Sequence, residues 1–294
     1  MATNRALKGR IRSVNNTRKI TRTMELVATS KLKRAQDRVT AARPYAQALS
    51  EVIADLATPD LASQFPMLRT PAAPSAGGPS KAVVILITSN RGLAGGFNSN
   101  LIKEARRRVD ALSGEGYDVE IVGIGKKGIG YFKYVGRHLR SERVDIGDRP
   151  TAEHAASVVD DLISDFAAGR LGVVELVQSR FLSVLNAPPT TVRVLPIETP
   201  AAGAQGMRPD YILSPDPQTL LEALLPLYVR NVIYRGLVET VAAEQAARRT
   251  AMKNATDNAG DLLEGLKRKY NRQRQAQITQ EIAELVGGAA AQQG

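Results

Sequence analysis

The sequence predicts an α/β domain of mostly parallel sheet inserted between two long helices that pair as an antiparallel coiled coil. Three observations predict it. An apolar stripe at alternating steps of four and three runs through residues 28–56. A second runs from Met252 to Leu285 near the other end. Between them, residues 81–197 alternate strand-like and helix-like segments.

The first helix occupies residues 1–57. No Gly or Pro interrupts NTRKITRTMELVATSKLKRAQ, residues 16–36, and its residues are mostly good helix formers. Ala28, Leu32, Ala35, Val39, Ala42, Ala46, Leu49, Ile53 and Leu56 form the stripe, the seam of a left-handed coiled coil. Carried backwards the frame reads Val14, Ile11 and Leu7 but meets Arg18, Thr21 and Glu25. Ile20, Met24 and Val27 form a rotated stripe there, so the helix is expected to change the face it presents near residue 18. Pro44 is expected to bend it.

Residues 58–80 are crowded with Pro, Ser and Gly and read as a linker. The α/β domain follows over residues 81–213. AVVILIT reads as a buried strand, and YDVEIVGI, GVVELVQSRF and TTVRVLPI as three further strands. NSNLIKEARRRVDAL, KGIGYFKYV and TAEHAASVVDDLISDFAAG are the intervening helices. The last helix spans 214–294 with its tail. SPDP starts it, with Ser214 or Asp216 as cap and Pro217 in the first turn. Met252, Thr256, Ala259, Leu263, Leu266 and Tyr270 keep the four-three rhythm, which Ile278, Ile282 and Leu285 repeat. Pro226 is expected to kink this helix and Gly287-Gly288 to end it. At 1.5 Å per residue the two helices would reach about 80 and about 105 Å, leaving roughly 25 Å of the second unpaired.

Composition narrows the chemistry. The 294 residues include no cysteine, which excludes disulfides, thiolate catalysis and Cys-ligated metal. The longest apolar run, AVVILI, is too short to span a membrane. The N-terminus has no apolar core of the kind a secretory signal needs. Net charge is +11, and residues 4–57 alone hold 12 Lys+Arg against 4 Asp+Glu. The excess therefore sits on the first helix. Three readings of it stay open on composition: a solvated coiled-coil face, a nucleic-acid arm, or a shaft inside a protein collar with acidic loops. Cations on a solvated face normally alternate with Glu at i+4, and a nucleic-acid arm is expected to carry stacking aromatics. Residues 4–44 contain none.

Motifs for catalysis are thin. GIGKKG (123–128) fits the dinucleotide pattern, with Glu142 and Asp145 downstream for a ribose. It follows the second strand rather than the first, and a tight turn explains its glycines as well. SNRGLAGGFNSN (89–100) lacks the Lys-Ser/Thr ending of a phosphate loop. His138 and His154 lie in polar contexts without ligand spacing and read as solvated. No nucleophile stands with a base, so no catalytic residue, metal site or cofactor is expected.

RIRSVNNTRKITRTMELVATSKLKRAQ, SNRGLAGGFN and VAAEQAARRTAMKNATDNAGDLLEGLKRKYNRQRQAQITQEIAELVGGA together resemble the γ subunit of the F-type ATP synthase, nearly end to end. The resemblance implies a non-catalytic central-stalk rotor of bacterial type. Its two long helices would thread a hexamer of α and β subunits, and its Rossmann-like α/β foot would meet the ε subunit and the c ring. It implies one copy per complex, no nucleic acid as partner, and a place on the cytoplasmic face of a bacterial inner membrane, with the mitochondrial matrix side as the alternative and the membrane touched only through partner subunits. By the same resemblance Met24 matches the methionine near the acidic β-subunit lever. Arg274 and Gln275 match the pair at a β-subunit catch loop, and Arg248, Thr279 and Glu284 match other coupling positions. Tyr211 matches a foot residue at the c ring. Ser214 stands where some members have an acid.

Overall fold

The structure is a computed structural model. It describes residues 2–57, 80–198 and 216–292, with scattered positions between 58 and 79. The elements are α1 (Ala2–Leu56), β1 (Lys81–Ile87), α2 (Phe97–Gly114), β2 (Asp118–Ile124), α3 (Lys126–Tyr134), β3 (Leu139–Arg143), α4 (Ala152–Ala167), β4 (Val173–Ser179), β5 (Pro189–Leu195) and α5 (Pro217–Gln292). The chain divides into two compact units, residues 30–247 and residues 1–29 with 248–294. Both divisions fall inside the long helices.

In the larger unit a five-stranded sheet has the order β3-β2-β1-β4-β5. β1 pairs in parallel with β2 and β4, β2 in parallel with β3, and β5 returns antiparallel to β4. β1 is almost wholly buried, as a continuous apolar run between two parallel neighbours must be, and β4, between β1 and antiparallel β5, is buried along its whole length. β3, whose sequence LRSER has one apolar residue in five, had no apolar signature to announce it.

The two faces of β1 feed two cores. Val83, Ile85 and Ile87 pack with Leu49, Ile53 and Leu56 of α1, with α4, and with Leu221, Leu225, Val229, Ile233 and Leu237 of α5. Ala82, Val84 and Leu86 pack with α2 and α3, and Leu32, Ala35, Val39, Val238 and Ala242 join them. Segments of both long helices thus complete the core of the α/β layer. Gly236 makes the fit of α5 possible: a Cβ there would lie 2.2 Å from Gln178 Oε1 and 2.7 Å from Leu176 Cδ2.

Asp216 caps α5, accepting a hydrogen bond from Thr219 N–H at 2.9 Å, with Pro217 as the first helical residue. Ser214, the other capping candidate, lies outside the described residues, as does Tyr211. Helix α5 runs on through Gly287-Gly288 to Gln292, against the expected stop, because the alanines that follow are the strongest helix formers. Pro44 and Pro226 sit inside unbroken helices.

In the smaller unit, residues 2–29 of α1 and residues 248–292 of α5 run antiparallel. Asn4 Nδ2 donates to Gln277 Oε1, and Thr256 Oγ1 donates to Thr21 Oγ1 at 2.8 Å. Ala28, Met252, Thr256, Ala259, Leu263 and Leu266 are buried, as the rhythm requires. The rotated stripe is corrected. Ile20 and Val27 are 59% and 50% exposed, whereas Thr21 and Glu25 are buried. The original frame continues through polar residues, because Thr21 finds a hydroxyl partner across the pair and Glu25 binds Arg22 at 2.9 Å.

Candidate functional site

The glycine motifs carry the enzymatic reading. Gly125, at the start of α3, has φ 92°, and a Cβ on it would stand 2.1 Å from the carbonyl oxygen of Thr88. Gly128 N–H donates to Thr88 Oγ1 at 2.9 Å. The space in which a pyrophosphate would approach these glycines is therefore filled by the end of β1. The glycines allow two βα turns to close on each other.

The SNRGLAGGFNSN loop is tied down in the same way. Asn98 Oδ1 accepts from Ser89 N–H at 3.0 Å. Asn90 Nδ2 donates to the carbonyls of Val144 and Ile146, and Asn90 Oδ1 accepts from Lys126 N–H at 3.0 Å. One asparagine thus links the loops following β1, β2 and β3. A cavity of about 140 Å³ opens beside it, bordered by Thr88, Arg91, Asp148, Thr240 and Glu244. It lies beyond the carboxyl ends of β1 and β2, the end at which open α/β sheets usually hold ligands. It holds no paired nucleophile and base.

His138 is exposed. His154 is half-buried and structural: its Nδ1 accepts from Thr151 N–H at 3.1 Å, closing a capping box at the start of α4. Among the described residues, no group of His, Asp and Glu could hold a metal ion.

Charged pairs that the sequence did not announce stiffen the α/β layer. Glu175, 3% exposed in β4, accepts two bonds from Arg108 at 2.7 and 2.8 Å and one from Arg193 at 3.2 Å. Glu120 binds Lys81 and Arg140, each at 2.8 Å, and Arg140 reaches on to Asp165. Hydrogen bonds from Lys81 hold the Glu120 carboxyl below its usual range, and those from Arg170 do the same for Asp165. Asp145, clasped by Arg143, falls to about 2.

The coupling candidates fall into three environments. Met24 is half-buried on α1, beside exposed Ile20 and Val27. Arg248 is buried on α5, with interactions of its own. Arg274, Gln275, Thr279 and Glu284 are exposed near and beyond Gln277, the last residue of α5 bonded to α1 among the described residues. Helical geometry puts Arg274 and Gln275 on the side of α5 that carries Ile278, Ile282 and Leu285, with Thr279 beside it and Glu284 away from it. Ile278, Ile282, Leu285 and Val286 form an exposed apolar strip without a covering segment among the described residues.

The chain matches known proteins over nearly its whole length. The ATP synthase family model covers residues 3–292. The ATP synthase gamma chain of Gemmatimonas aurantiaca is 58% identical over 295 residues, 100% of both chains. That of Leptospira biflexa is 41% identical over 292 residues, 99% of each. The chain belongs to the ATP synthase γ-chain family. Among solved structures, a chain of the Euglena gracilis mitochondrial ATP synthase matches with TM-score 0.71 at 20% identity, covering 99% of this chain and 94% of that one. A chain of the rotor of that enzyme matches at 0.67, with 19% identity and coverage of 94% and 99%. Those structures share the fold, an α/β layer with a coiled coil. The chain's role is that of the rotor subunit in an ATP synthase. No helix among the described residues is long and apolar enough to cross a membrane.

Proposed function

We propose that the antiparallel pair of α1 and α5 turns inside a hexamer of α and β subunits, one copy per complex, and that the chain catalyses nothing itself. The α/β foot takes torque from the c ring, with the ε subunit against it, through the region of Tyr211 and Ser214. The complex lies on the cytoplasmic face of a bacterial membrane, which this chain meets only through its partners. No nucleic acid is involved.

The observation that carries the reading is the end of α5 beyond Gln277, exposed on every described side and bearing an apolar strip. An apolar face left bare on a soluble helix marks a surface that another chain covers. Beside it Arg274 and Gln275 would meet the β-subunit catch loop, with Thr279 and Glu284 nearby. Met24, next to bare Ile20 and Val27, would meet the β-subunit lever, and Arg248 would hold the shaft in its working register.

A bearing needs attraction without deep interlocking. Cations supply long-range attraction to acidic loops, while permanent interfaces use large aromatic anchors set in pockets, which these stretches of helix lack. Torque reaches a β subunit only if the shaft presents different contacts at different angles, because a ligand shifts an equilibrium solely by differential affinity. The lopsided pair meets that condition.

The test is purification of the tagged full chain from cells, with subunit counting and ATPase assays. The expected result is one copy per three β subunits, and a complex whose ATP hydrolysis pumps protons only when this chain is present. Recovery of the chain without α and β partners would end the proposal.

A further inference from the structure

Three segments of the larger unit converge on a pocket of about 200 Å³. Lys31, Arg34 and Arg38 line it from α1, at helical spacing that puts them on one face. Arg149 lines it from the loop after β3, and Gln245 from α5. Asp148 is the single acid at its edge, and it is engaged: its carboxylate binds Lys31, and its backbone carbonyl accepts from Arg38 at 3.0 Å. Four cations therefore surround one carboxylate. On an open helix face such an excess is merely solvated. Here the cations come from two elements onto a concave site, where mutual repulsion favours a bound counter-anion.

Gln245 adds an independent sign. It is 2% exposed, and its Oε1 has no hydrogen-bond partner among the described residues. A buried amide group left unpaired costs about 1–3 kcal/mol. Half a turn of the terminal amide exchanges oxygen for N–H without changing its shape, so Gln245 can present a donor to whatever occupies the pocket.

We propose that this pocket binds a phosphate-class oxyanion, held by the guanidinium groups of Arg34, Arg38 and Arg149 and by the Gln245 amide. Paired N–H groups of arginine match the edge of a tetrahedral oxyanion, a match a halide does not offer. The site is separate from the GIGKKG turn, and it goes beyond the rotor role without resting on it. Free phosphate and the terminal phosphate of a nucleotide share this chemistry.

The experiment is equilibrium dialysis of the full-length chain against labelled inorganic phosphate, with chloride holding ionic strength constant and parallel arms using ADP and polyglutamate. Saturable binding near one phosphate per chain is expected. Arg34→Ala and Arg38→Ala should each weaken it about tenfold or more. Gln245→Glu, which sets a carboxylate in the pocket, should abolish it, while Arg5→Ala leaves it unchanged. Circular dichroism checks folding, and if Gln245→Glu does not fold, exposed Arg34 carries the test. Saturable ADP binding with the same residue dependence, in place of phosphate, would support the site and assign the oxyanion to a nucleotide. Non-saturable uptake, variants that bind like the parent, or saturation by polyglutamate alone would overturn the proposal.

Discussion

Gly125 and Gly236 show how single residues set the closeness of neighbouring elements. A methyl group at Gly125 meets backbone, 2.1 Å from Thr88 O, at a φ of 92° that side-chain-bearing residues avoid. At Gly236 it meets side chains, the nearer being Gln178. Backbone cannot turn aside as a side chain can. Gly125→Ala is therefore expected to lose about 3 kcal/mol or more, the sum of overpacking and strain. Gly236→Ala should lose about 1–2 kcal/mol, overpacking offset by the better helix propensity of alanine. Urea denaturation of the two variants measures both, and the order of the two losses is the discriminating result. Met24→Lys places a cation on a stretch with Arg18, Lys19 and Arg22 close by. Fewer protons pumped per ATP hydrolysed, in a complex that still assembles, is the expected outcome in inverted vesicles. An unchanged ratio would remove Met24 from the coupling path.

At the scale of elements, the end of α5 differs from the rest of that helix. Met252, Thr256, Ala259, Leu263 and Leu266 are buried, whereas beyond Gln277 every described side chain is exposed. Residues that bury nothing contribute little to stability. A chain ending at Gln277 is thus expected to melt within a few degrees of the full chain, by about the spread of ordinary surface changes. Its complex with α and β subunits should nonetheless turn over ATP more slowly. Arg274→Ala should lower turnover as well, with the α/β layer still folded by circular dichroism. A large drop in melting temperature on truncation would mean that the strip is covered within the chain itself.

Taken as a whole, the molecule is made sensitive to acid by pairs in its α/β layer. Glu104, Glu120, Asp145 and Asp165 all have folded values below their ordinary ones, chiefly through hydrogen bonds from Arg107, Lys81, Arg143 and Arg170. A carboxylate depressed in the folded state adds stability above its unfolded value, and loses it as pH falls toward the folded one. The pairs are partly exposed, so each contributes at most about 1 kcal/mol. The melting temperature is expected to hold from pH 7 to about 5 and then decline steadily toward pH 3. A midpoint flat across that range would show that these pairs are equally well solvated in the unfolded chain.

Four of the five strands, the helices between them, both long helices and the basic character of the first were legible in the chain, because periodicity and charge are properties of neighbours. The terminal motifs made the family legible too. Leu32, Ala35, Val39 and Leu49 lie inside, as their spacing required. Three things needed the third dimension. Thr21 and Glu25 look outward by chemistry, yet they are buried, since Thr21 meets a hydroxyl 235 positions away. β3, polar in four of its five residues, is a strand only because the open edge of β2 receives it. The cationic pocket gathers Lys31, Arg149 and Gln245 from distant segments. Local pattern determines what each segment can be; which polar groups satisfy one another depends on register between segments, and only the folded chain sets that register.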